Sequence, residues 1–150
     1  MSAAAKRSAT DGGELMRRAR AVARQAYAPH SQFQVGAAVR TQRGAIFIGC
    51  NVENASYGLT LCAERNAIGA AVAAEGARMR LAAVAVYVAG ETAFPPCGAC
   101  RQVIAEFAAP DVPVVYRGKG GAAVVTTIGA LLPQAFRLGR IQGVEGRRPL

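Results

Sequence analysis

The sequence predicts an α/β protein, a three-layer α/β/α sandwich on a mixed five-stranded sheet. Three observations lead there. Helical periodicity and short strand-like runs alternate as helix, hairpin, helix, strand, helix, strand, strand. The run Leu81 to Ala89 is continuously apolar, as a strand buried on both faces requires. Strand–helix–strand crossovers then imply a mixed sheet with helices laid over it.

Taken in order, Met1 to Gly13 is small, polar and charged, and reads as a disordered tail. Glu14 to Ala26 places Leu15, Ala19, Val22 and Ala26 at helical spacing with arginines opposite, and Pro29 ends it. Gln34 to Arg40 and Ala45 to Cys50 read as two strands of a hairpin turning at Gln42-Arg43-Gly44. Asn51 to Leu61 is a loop rich in Asn, Ser and Gly. Cys62 to Glu75 is an alanine-rich helix stopped by Gly76. After the strand Leu81 to Ala89, a loop leads to a helix from Gly98 to Ala109, stopped by Pro110; Val103, Ile104 and Phe107 form its apolar face. Val112 to Tyr116 and Ala122 to Thr126 are strands, and Ile128 to Leu132 is a short helical turn before Pro133. The domain is therefore expected over 14–138, with a basic C-terminal tail at 139–150.

A chain of 150 residues, 52% of them hydrophobic, is long enough to bury one core. No apolar stretch is long enough to span a bilayer. Met1 to Thr10 is basic but lacks the apolar region of a secretory signal. The expectation is a cytoplasmic protein with no membrane partner. Four cysteines could make two disulfides, but that pattern suits small secreted scaffolds. Reduced thiols serving metal or catalysis fit better here. The net charge of +9 raises the question of nucleic acid. Arg17, Arg18, Arg20 and Arg24 share one helix, the other cations are scattered, and no basic run alternates with aromatics. This describes a solvated basic surface with weak, salt-sensitive adhesion to RNA, not a specific nucleic-acid site.

The chemistry lies in Cys62-Ala63-Glu64 and Pro96-Cys97-Gly98-Ala99-Cys100. A Cys-x-x-Cys pair and a distant third cysteine can supply three corners of a zinc tetrahedron and leave the fourth open, as catalytic zinc sites do. Both segments fall at predicted helix starts, where the helix dipole favours thiolate. Glu64, in the first turn, is near enough to handle protons for a water on the same metal. Three thiolates on Zn²⁺ leave one net negative charge, which weakens the metal as a Lewis acid; Arg65 donating to the sulfurs would restore some of that power. Two other readings stay open. Cys50 could join the three as a closed structural Cys₄ shell, although such shells usually come as two close pairs. Cys97 and Cys100 could form a redox pair, which leaves Cys62 and Glu64 without a role.

These segments match the zinc-deaminase signature of a His or Cys ligand, x-Glu, and a later Pro-Cys-x-x-Cys. Together with Tyr27-Ala28-Pro29, Phe33 to Ala38, Gly49 to Tyr57, Cys62 to Arg65 and Pro96 to Val103, the chain resembles the small homotetrameric cytidine deaminases from Glu14 to Phe136. The resemblance implies that fold and a set of roles. Cys62, Cys97 and Cys100 would hold one Zn²⁺ per subunit, and Glu64 would be the proton shuttle. Asn51 and Glu53 would bond the ribose 3′-hydroxyl, Phe33 would pack on the pyrimidine, and the Ala63 backbone would hold the base carbonyl. Ala55 and Tyr57 would complete a neighbouring subunit's site, and Phe136 would reach the base across an interface. Gly36 and Gly49 read as backbone requirements. His30 stands where the family often has tyrosine.

The implied reaction is hydrolytic deamination of cytidine and 2′-deoxycytidine to uridine and 2′-deoxyuridine plus ammonia, in pyrimidine salvage. Zinc-bound hydroxide would attack C4 while Glu64 moves protons. An editing deaminase on RNA or single-stranded DNA would share the chemistry, but a polynucleotide has no free internal 3′-hydroxyl for Asn51 and Glu53. A deaminase of nucleoside antibiotics and a non-enzymatic zinc module are the remaining alternatives.

Overall fold

The computed structural model describes residues 3–91, 93–118 and 120–138, with side chains from residue 12 onward. The proposed C-terminal tail at 139–150 lies outside the described residues. Helices are α1 (Ala3–Ala23), α2 (Ala63–Glu75), α3 (Gly98–Phe107) and α4 (Ile128–Leu131); strands are β1 (Val35–Thr41), β2 (Ile46–Cys50), β3 (Leu81–Val88), β4 (Pro113–Gly118) and β5 (Val124–Thr127). The sheet runs β2-β1-β3-β4-β5. β3 and β4 are parallel and the other neighbours antiparallel. The mixed five-stranded sheet matches the expectation from sequence.

The period-2 alternation of the strands sorts side chains into two cores. Ala37, Val39, Val84, Val86 and Val114 face Ala67, Ile68, Ala71, Ile104 and Ile128 of α2, α3 and α4. The alternate residues Ala38, Ala85, Tyr87 and Val115 face Leu15, Met16, Ala19 and Ala23 of α1. Among the described residues one helix covers one face and three cover the other. α1 differs from its expected span 14–26 at both ends. It begins at Ala3, within an alanine-rich stretch of high helix propensity that carries it through Gly12-Gly13. It ends at Ala23 because Tyr27 is drawn into bridging with Val52, its N–H donating to Asn51 O at 3.1 Å.

Two glycines set the approach of helices to the sheet. A Cβ on Gly36 would lie 2.0 Å from Ala19 O of α1. A Cβ on Gly49 would lie 2.5 Å from Ala67 N and 2.6 Å from Ala63 O, in the backbone of the opening turns of α2. These turns carry Cys62 and Glu64, so β2 fixes their height above the sheet. Gly49→Ala is therefore expected to destabilise the protein by about 1–3 kcal/mol, the usual range for overpacking. Urea unfolding checks it, and an unchanged midpoint would contradict this packing.

Candidate active site

Cys62 is the N-cap of α2 and Cys97 the N-cap of α3; neither side chain makes a capping hydrogen bond. Cys100, in the first turn of α3, is fully buried. The two helix starts meet so that the sulfurs of Cys62, Cys97 and Cys100 all lie within 4.8 Å of one another. Cys62 Sγ and Cys97 Sγ are 4.0 Å apart. Tetrahedral zinc with bonds of about 2.3 Å needs sulfurs about 3.8 Å apart. The donor set and its spacing therefore fit zinc with small adjustments. Among the described residues Cys50 is not in the cluster, which argues against the closed Cys₄ shell, and all four cysteines are free thiols.

Among the three thiols the electrostatics concentrate charge on one sulfur. Cys62 is lowered to about 5, first by its hydrogen bond with Cys100 and also by the hydrogen bond and charge of Arg65, against the cost of desolvation. Cys100 is pushed up by the same bond to Cys62, by burial, and by the Glu64 carboxylate. Arg65 Nη2 donates to Cys62 Sγ at 3.5 Å and to Thr60 O at 2.9 Å. That bond to Cys62 raises the guanidinium further and keeps it cationic. In the reduced metal-free chain, iodoacetamide is expected to alkylate Cys62 with a pH midpoint near 5, against 9.0 for an ordinary thiol. Cys100 should resist labelling at neutral pH. Peptide mass spectrometry across pH tests this, and a Cys62 midpoint above 8 would contradict it.

Glu64 occupies the first turn of α2 and is 4% exposed. Desolvation raises its carboxyl above the ordinary value of 4.5, the charge of Cys62 adds to the rise, and a hydrogen bond with Cys100 opposes it. The carboxyl is thus packed against the cysteine cluster. Ala63 is buried as the first residue of α2, where backbone N–H groups lack intrahelical partners.

The other candidates form a loop network. Asn51 is buried; its Oδ1 accepts from Val35 N and its Nδ2 donates to Phe33 O, both at 2.8 Å. Glu53 accepts from His30 N at 2.8 Å, from Ser31 N at 3.2 Å and from Ser31 Oγ. Its carboxyl is held below the ordinary value, chiefly by the Ser31 hydroxyl. Ser31 Oγ also accepts from Phe33 N at 3.0 Å, and Gln32 between them is left-handed at φ 57°. Such a non-glycine conformation costs about 1–2 kcal/mol; the bonds on either side hold it. Phe33 stacks edge-on against Phe94 at 5.5 Å.

His30, Ser31, Glu53, Tyr57 and Thr60 line an open cleft of about 270 Å³. The cysteines are not in its lining, but Arg65 joins its wall at Thr60 to Cys62. Ala55 and Tyr57 are exposed, Tyr57 at 78%, on the 50s loop. Phe136 is 61% exposed and tied by its carbonyl to Gln102 Nε2 at 2.9 Å. Cys62, Cys97, Cys100, Glu64 and Arg65 thus come together, as do Phe33, Asn51 and Glu53, while Ala55 and Phe136 point outward. Sequence reasoning missed Ser31 and Thr60. A hydroxyl two residues before Phe33 in a turn was the available signal for Ser31; Thr60 carried none.

Known proteins are similar to this chain over most of its length. The family model for the cytidine and deoxycytidylate deaminase zinc-binding region matches residues 10–116. A cytidine deaminase of Sporosarcina psychrophila is 44% identical over 126 residues, 84% of this chain and 91% of its own. One from Halalkalibacterium halodurans is 48% identical over 111 residues, 74% of this chain and 83% of its own. The crystal structure of cytidine deaminase from Burkholderia pseudomallei superposes with a TM-score of 0.76 at 48% identity, covering 83% of this chain and 98% of that one. Three thiols converging at two helix starts, a buried carboxyl against them and this likeness over most of the chain lead to one conclusion: the chain belongs to the zinc-binding cytidine and deoxycytidylate deaminase family.

Proposed function

We propose that this chain hydrolytically deaminates cytidine and 2′-deoxycytidine, giving the uridine products and ammonia. The observation that carries this is the buried Glu64 carboxyl packed against the Cys62, Cys97 and Cys100 cluster. Zinc bound by those sulfurs supplies Lewis acidity that brings the pKa of a water ligand toward neutrality. Glu64 would take a proton from the water that adds to C4 and pass it to ring N3, then carry the remaining proton of the new C4 hydroxyl to the amino group, so that the C4–N bond breaks, ammonia leaves and the C4 carbonyl forms. Burial suits it to the task, because desolvation raises its carboxyl above the ordinary value and so favours uptake of the proton it must carry. Arg65 offsets the negative charge of the three thiolates.

The cleft beside Thr60 receives the sugar, with Glu53 accepting its 3′-hydroxyl. Asn51 has one N–H and one lone pair to spare after holding Phe33 and Val35. Phe33 packs on the base and the free N–H of Ala63 takes its carbonyl. A single-chain cleft of about 270 Å³ is small against the roughly 300–1,000 Å³ of ligand pockets. Val52, Tyr57, Leu59, Leu61 and Phe136 are apolar side chains left exposed on the single chain. Both features support a homotetramer in which Ala55, Tyr57 and Phe136 complete neighbouring sites. We assign the catalytic unit to 14–138, with 1–13 and 139–150 as appended segments, and place the enzyme in the cytoplasm. Among the described residues no helix is long and apolar enough to cross a membrane.

The test is the ultraviolet absorbance of cytidine under the purified chain, with and without a zinc chelator. Conversion to uridine that the chelator abolishes is the expected result. A zinc-loaded, folded sample that leaves both nucleosides untouched would overturn the proposal.

A further inference from the structure

The three thiols of the cluster are unequally held. Cys62 belongs to a helix start seated on Gly49, and Arg65 bonds its sulfur. Cys100 is buried within α3. Cys97 is exposed and ends the loop that follows β3. What precedes it is fixed by a residue the sequence reading did not single out. Arg101 Nε donates to Pro96 O at 2.8 Å, and its Nη1 donates to Leu131 O at 3.1 Å. Pro96 is fully buried and immediately precedes Cys97; Leu131 is the last residue of α4. One half-buried guanidinium therefore joins the Cys97 loop to the C-terminal end of α4, from a position next to Cys100. The planar fork of arginine suits two acceptors at fixed separation, and an ammonium does not reproduce it. Gln102 Nε2 then holds the following segment to α3 through Phe136 O.

We infer that Arg101 is a positioning residue for the metal: it clasps Pro96 to Leu131 and so holds Cys97 in register with Cys62 and Cys100. Retention of zinc then depends on the end of α4 as well as on the three ligands. The identity of the metal rests on the proposed function; the clasp itself rests on the hydrogen bonds.

The experiment follows zinc release from the full-length, zinc-loaded protein into a chromogenic chelator. Arg101→Met is expected to release zinc about 10–100-fold faster than wild type, the usual cost of losing a group that orients a ligand. Arg101→Lys, which keeps the charge but not the fork, should fall between the two. Thr41→Val is the control for simple destabilisation, since it removes the bond from Thr41 Oγ1 to Glu75 at the far end of α2; it should release zinc at the wild-type rate. If Arg101→Met does not fold, the lysine variant carries the test. Wild-type release from a folded lysine variant, or equal acceleration in Thr41→Val, overturns the inference. A wild-type protein that takes up no zinc would instead defeat the proposed metal centre.

Discussion

Glu64→Gln is expected to lower kcat on cytidine by about 10⁴-fold, the upper end of general acid–base effects, because one carboxyl serves several proton transfers. Zinc content should stay at one per chain, and nucleoside binding measured by calorimetry should persist, since glutamine keeps the shape of the buried side chain. The same variant isolates the energetic cost of burying the carboxylate. Desolvation raises Glu64 above 4.5 in the folded chain. The folded state therefore keeps a proton that the unfolded state releases in the window above that value, and stability falls as pH rises through it. In metal-free protein, wild type and Glu64→Gln should be similar near pH 4, and the variant the more stable at pH 8. Turnover within tenfold of wild type would remove Glu64 from the mechanism; a parallel pH dependence in the two proteins would remove the desolvation argument.

Sequence and structure agree where periodicity carries the information. Ala37 and Val39 alternate with Ala38, and Leu81 to Val88 is apolar throughout, so the sheet and its helical cover are legible without coordinates. The start of α1 is not, because Gly12-Gly13 interrupts its pattern. Nor is its end, which Tyr27 decides by pairing with Val52 across the chain. The cysteines and Glu64 are legible because their chemistry depends on spacing within single helix turns. Ser31, Thr60 and Arg101 are not, because they act through individual hydrogen bonds, Ser31 to the Glu53 carboxylate, Thr60 O from Arg65 and Arg101 to Leu131 O, and these leave no repeat in the chain. Asn51 shows the intermediate case. Its polarity in a loop marks it for attention, but its bonds to both Phe33 and Val35 emerge only when the loop is folded.

Cys100→Ala should abolish zinc binding and activity together. Structural zinc sites in zinc-finger peptides contribute about 10–16 kcal/mol through all their ligands, which sets the scale for a site held by three thiolates. Loss of one ligand in three then weakens zinc by roughly 3–5 kcal/mol, or about 10²–10⁴-fold. Cys100 is the informative position because it is fully buried in α3, so alanine removes the ligand with little change of volume. Metal that binds only the folded state stabilises it by RT ln(1 + L/Kd), with L the free zinc concentration, so the melting temperature rises with the logarithm of free zinc over its dissociation constant. Wild type should therefore melt lower after chelation and recover when zinc returns, while Cys100→Ala should melt at one temperature with or without zinc. Cys50→Ala separates the open site from a closed one. Cys50 ends β2 outside the cluster, and its carbonyl is held by Asn66 Nδ2 at 2.8 Å. That variant should keep its zinc and its zinc-dependent melting shift. Zinc-replete, active Cys100→Ala would remove Cys100 from the ligand set, and loss of zinc from folded Cys50→Ala would return the four-cysteine structural shell to consideration.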